Sequence, residues 1–95
     1  MGNYTVNRSK HATLAANTAD KVTFNSKPRI IEVRNLDSTA VIFFRTDGTA
    51  PTVNGDDTDR LGRGEPWEAD AANVDPPQVQ LISSGTPAYS VRAVS

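Results

Sequence analysis

The densest run of potential ligands in this 95-residue chain is Gly55-Asp56-Asp57-Thr58-Asp59. Clustered carboxylates are the raw material of a calcium loop, which needs about six to eight oxygens around the ion. Asp57 and Asp59 have the alternate spacing of an EF-hand, but no glutamate stands at the closing distance and no helix pattern flanks the run. It reads instead as a turn and a polar loop. Asp56, Asp57 and Asp59 would then cap exposed backbone N–H groups and keep a sheet edge soluble. No metal ligand is assigned.

Acid–base and nucleophilic chemistry find less to work with. The one histidine, His11, falls in a polar stretch where no packed element is expected to hold it. Asp56 and Asp57 are adjacent on a loop, not a carboxylate pair facing each other across a cleft as glycoside hydrolysis requires. The run from Leu61 to Pro66 holds Gly62, Arg63 and Gly64, yet lacks the Gly-Lys-Ser/Thr ending and the helix of a phosphate loop. The absence of cysteine removes thiolate nucleophiles, thiolate-bound zinc and disulfides. No catalytic residue and no cofactor is assigned, and the chain is expected not to be an enzyme. Trp67 is either a core or rim residue or a stacking platform for a sugar or base, with Tyr4, Tyr89 and Phe43 as its aromatic company.

The elements that would position these residues repeat with period two, and no stretch keeps a helical stripe. Short β-branched and aromatic runs separated by Gly, Pro, Asn, Asp and Ser predict strands near 12–16, 21–26, 29–35, 39–46, 58–61, 66–70, 78–83 and 88–94. The short Leu36–Thr39 link predicts a hairpin between the third and fourth strands, and Ser84–Ala88 a hairpin between the last two. Thr46-Asp47-Gly48-Thr49 predicts a type I′ turn, and Gly55 centres a second turn. In the fourth strand Ile42 and Phe44 share one face while Val41, Phe43 and Arg45 share the other. That second apolar face is either a contact surface or is covered by the loop from 50 to 65.

Ninety-five residues make one domain with a radius of gyration of about 12 Å. The fold class is all-β: a small antiparallel, immunoglobulin-like β-sandwich over residues 12 to 95, with a small barrel as the competing architecture. Residues 1 to 11 are expected to form a polar N-terminal arm, frayed or ordered on a neighbour, with Tyr4, Arg8 and Lys10 as its contacts. Ten basic against eleven acidic residues give a net charge of −1, which does not suggest nucleic acid or an anionic membrane as partner. No apolar run is long enough for a secretion signal or a membrane span, so a soluble protein made in the cytoplasm is expected.

Two resemblances add to this. Val41-Ile42-Phe43-Phe44-Arg45-Thr46-Asp47-Gly48-Thr49-Ala50-Pro51-Thr52 resembles the strand-turn signature of chitobiase C-terminal-like, immunoglobulin-like domains, which implies a sandwich. The wider succession from residue 22 to 91 is similar to small virion proteins of tailed bacteriophages. It is carried by Val41–Phe44, the Asp47-Gly48 turn, Pro51-Thr52-Val53 with Gly55, and the segment from Leu81 to Val91. The resemblance implies a non-enzymatic capsid decoration protein on the outer surface of a shell. Its partners would be the major capsid protein and further copies of itself, in a trimer or other cyclic assembly. Tyr4, Arg8, Lys10, Val41, Phe43, Arg45 and Trp67 are the interface candidates. The alternatives are a head–tail joining or tail protein, and a carbohydrate-binding module.

Overall fold

The computed structural model describes residues 2–56, 58–71 and 76–94. It has nine strands among them: β1 (Asn3–Val6), β2 (Ser9–Thr13), β3 (Asp20–Phe24), β4 (Ile30–Asn35), β5 (Ile42–Arg45), β6 (Asp59–Leu61), β7 (Pro66–Asp70), β8 (Gln78–Ile82) and β9 (Ala88–Ala93). They form a five-stranded sheet in the order β1-β3-β8-β5-β6 and a four-stranded sheet in the order β2-β9-β4-β7. The period-two pattern explains why both sheets close on one core. Val22 and Phe24, Ile42 and Phe44, and Val79 and Leu81 face inward from the larger sheet, while Ile31 and Val33 and Tyr89 and Val91 meet them from the smaller one. The expected all-β sandwich is what the chain forms.

Its pairings are nested. β2 pairs with β9, β3 with β8, β4 with β7 and β5 with β6, all antiparallel, as if one long hairpin had its tip between β5 and β6. Rolling that hairpin adds the β4–β9 and β5–β8 pairs. This is the strand order of a jelly roll, in which full use of inner strands leaves short edges. The immunoglobulin comparison therefore holds for two packed sheets of mainly antiparallel strands, and not for the strand order.

Nesting also corrects the two expected hairpins. β4 and β5 lie in different sheets, as do β8 and β9, so both links are corners that carry the chain across the core. Asn35, fully buried, shapes the first corner. Its amide donates to the carbonyls of Ala40 (2.8 Å) and Leu61 (3.3 Å), and its side-chain oxygen accepts from Asp37 N–H (2.9 Å). The Asp37 carboxylate then accepts from the N–H groups of Thr39 and Ala40. At the second corner Ser83 Oγ donates to Val41 O at 2.6 Å and accepts from Gly85 N–H. Polar side chains thus satisfy backbone groups that a hairpin ladder would have taken.

The separate N-terminal arm gives way to structure as well. β1 runs parallel to β3 at the edge of the larger sheet, and β2 is an edge of the smaller one. Tyr4 and Val6 pack against the core, and the Gly2 N–H donates to the buried Asp20 carboxylate at 2.9 Å. A Cβ on Gly2 would lie 2.6 Å from the Tyr4 ring, so a larger residue there would displace the ring. The polarity of the segment reflects an alternation in which each inward residue is followed by an exposed one.

Candidate functional site

The sequence-derived candidates scatter. Tyr4 and Lys10 meet each other, with the Lys10 ammonium 4.2 Å from the Tyr4 ring centre. Together they close the side of the sandwich where β1 and β2 leave it open. Trp67 sits on edge strand β7, 45% exposed, with its ring 6.1 Å from Phe44 in an edge-on arrangement of 67°. It seals the opposite side, where a turn from Gly62 to Glu65 takes the chain from β6 to β7 with Gly64 at φ +70°. The run of Gly62, Arg63 and Gly64, which lacks the ending of a phosphate loop, forms this turn.

Phe43 points away from the core but is only 7% exposed, and Val41 is half-buried. The chain's own loop approaches that face: the Arg45 guanidinium, on the same side, donates to Asp56 O at 3.4 Å, and Pro51 is buried. Phe43 is thus buried within the chain itself, while Val41 beside it keeps part of its surface open. Arg45 also holds Asp47 through an ion pair, and this hydrogen-bonded guanidinium, helped by Thr49 N–H, lowers the Asp47 carboxyl to about 2. Gly48 alone takes positive φ in the Asp-Gly turn, so the turn is not type I′. In the next turn Gly55 N–H donates to Thr52 O, and Asn54, not Gly55, adopts the left-handed conformation at φ +56°. Asp57 lies outside the described residues. Among the described residues, no three His, Asp or Glu side chains gather as a metal ion would need.

One buried polar pair escaped the sequence reading. Tyr89 donates its hydroxyl to Asp20 at 2.8 Å, inside the core. Burial, reinforced by this carboxylate, drives the phenol far above its ordinary pKa. The pair joins one sheet to the other, and no solvent path is needed for it.

The residues that do come together lie on the outer face of the four-stranded sheet. Alternation along β2, β9 and β4 brings Ser9 and His11, Ser90 and Arg92, and Glu32 and Arg34 to that face. With Arg8 and Leu36 they line a shallow depression of about 400 Å³. Glu32 accepts from Arg92 at 2.9 Å and lies 3.8 Å from Arg34. His11 and Ser90 are direct cross-strand neighbours, yet no hydrogen bond joins their side chains among the described residues, and the nearby carboxylate is engaged by arginine. The arrangement suits the binding of a polar, negatively charged surface and not an activated nucleophile. Sequence reading missed it because its members come from three separate segments; the alternating exposed Ser9, His11 and Thr13 were the one available signal.

No family model matches this chain, and neither a curated protein nor a solved structure matches it.

Proposed function

We propose that this protein is a non-enzymatic structural subunit of a tailed phage particle, a capsid decoration protein that binds the outer shell and reinforces contacts between capsid subunits. The observation that carries the reading is the nested strand order, since jelly rolls are recurrent in viral capsid and lectin domains. Fold alone does not fix function. The resemblance to small phage virion proteins supplies the rest, and its two halves are adjacent: β5 pairs with β8, and Ser83 ties the later segment to Val41. The mechanism is linkage. A protein that binds the assembled lattice and not its free subunits stabilises the lattice in proportion to RT ln(1 + [L]/Kd) at each site.

The test is the copy number in purified particles of the encoding phage, measured by quantitative mass spectrometry against the major capsid protein. A ratio near one, or a simple fraction of it, is the expected result. A handful of copies would move the protein to the neck or tail, and complete absence would end the virion reading. A carbohydrate-binding module is the second reading, favoured by the exposure of Trp67 at the rim. It requires glycan binding that disappears in Trp67→Ala.

A further inference from the structure

The outer face of the four-stranded sheet is divided by charge. Its registers place Ser9, Arg92, Glu32 and Glu68 in one row across β2, β9, β4 and β7, and His11, Ser90, Arg34 and Pro66 in the next. The β2–β9 half, with Arg8 at its end, carries two arginines and His11 and no carboxylate. The β4–β7 half carries Glu32, Glu68 and Asp70 against Arg34, with Arg29 at its margin. Leu36, 50% exposed, marks one end of the face, and Val94, 44% exposed beside Ile30, marks the other.

We propose that this face binds a second copy of the same chain, in a face-to-face dimer with a twofold axis running along the strands between β9 and β4. Such an axis keeps each row at its own height and exchanges the two halves. β2 of one copy then lies over β7 of the other, and β9 lies over β4. Basic half meets acidic half twice, which is the self-complementarity an isologous interface demands. Row by row, Arg92 faces the second copy's Glu32, and Val94 faces the second copy's Ile30. The second copy's Glu68 comes down over Ser9, the small floor of the depression, between Arg8, His11 and Arg92. The same rotation sets Leu36 over the small Ala88, which is its neighbour within one chain. Aligned sheets cross at about 30°, an offset that long arginine and glutamate side chains absorb.

Within one chain Glu32 and Glu68 are directly opposite on paired strands, a like-charge arrangement that weakens a sheet. Docking against Arg8 and Arg92 of a second copy relieves it. The face is small: four strands at about 4.8 Å spacing and five residues of about 3.4 Å each give roughly 19 by 17 Å. Two such faces bury roughly 650 Å², less than a standard specific interface, so the dimer is weak, salt-sensitive and favoured where copies are crowded together. The assignment stands independently of the virion reading.

Sedimentation velocity on the purified chain, over a hundredfold range of concentration at low and high salt, tests it. The expected result is a rise towards doubled mass with concentration that salt suppresses. Arg8→Glu and Glu68→Lys, each alone, place like charges at both contacts and should remain monomeric. An equimolar mixture of the two variants restores opposite charges at both contacts and should recover the dimer. Glu68→Lys also removes the like-charge pair, so it should melt no lower than the parent chain, which separates lost association from lost folding. A parent chain that stays monomeric throughout overturns the proposal. So does association that both variants retain, or a mixture that fails to associate.

Discussion

Asn35 and Tyr89 show how single polar groups hold this sandwich. Each is fully buried, and each satisfies a partner that would otherwise be orphaned. Asn35→Ala would strand the carbonyls of Ala40 and Leu61 and the Asp37 N–H, at a cost of about 3 kcal/mol. Chemical denaturation should show a lower midpoint with little change in slope; a cost below about 0.5 kcal/mol would remove Asn35 from this role. Tyr89→Phe leaves Asp20 with the Gly2 N–H and should cost about 2 kcal/mol, or roughly 10 °C in melting temperature. The phenol also gives an alkaline limit. Its pKa is raised on folding, so the folded chain holds the proton more tightly than the unfolded one. The stability this confers is complete below the unfolded value of about 10 and is lost as pH rises above it. Melting temperature should fall above that pH, with tyrosinate absorbance from Tyr89 appearing together with unfolding. Independent titration of Tyr89 in the native state would contradict its burial.

At the scale of elements, the strand positions were legible because period-two alternation and turn residues are local signals. Seven of the nine strands overlap closely with those read from sequence, while β2 (Ser9–Thr13) is displaced towards the N-terminus and shares only Ala12 and Thr13 with the strand expected at 12–16. Pairing was not legible. Leu36–Thr39 and Ser84–Ala88 have the lengths of hairpin loops, but Asn35, Asp37 and Ser83 turn them into corners, and side-chain hydrogen bonds of this kind leave no distinct spacing in a sequence. β1 was missed because a four-residue edge strand with two inward side chains has almost no pattern to detect. Trp67 belongs to this scale, since its placement depends on β7 lying at the sheet edge beside Phe44. Trp67→Ala should cost about 2 kcal/mol from lost apolar area and the aromatic contact. A thermal melt unchanged by this substitution would return Trp67 to the role of a free platform.

For the whole molecule, the closing of both sides of the sandwich matters most. Lys10 over Tyr4 closes one and Trp67 the other, giving a body of 31 × 23 × 21 Å with a Cα radius of gyration of 11.7 Å. Deleting residues 1–8 would remove Tyr4, Val6 and the Gly2 bond to Asp20, and open the edge of β3. The loss should be about 4 kcal/mol, a large share of the stability of a domain this size, and visible as a collapse in melting temperature. A truncated chain that melts with the parent would restore the view of this segment as a loose arm. The sequence by itself determined the class of structure and the inward and outward faces of most strands, because alternation acts over a few residues. Only tertiary structure decided which strands pair, that Phe43 is covered, and that Arg92 from β9 joins Arg34 at Glu32. Those outcomes depend on how a long nested hairpin rolls, which is set by contacts between residues as far apart as Asp20 and Tyr89.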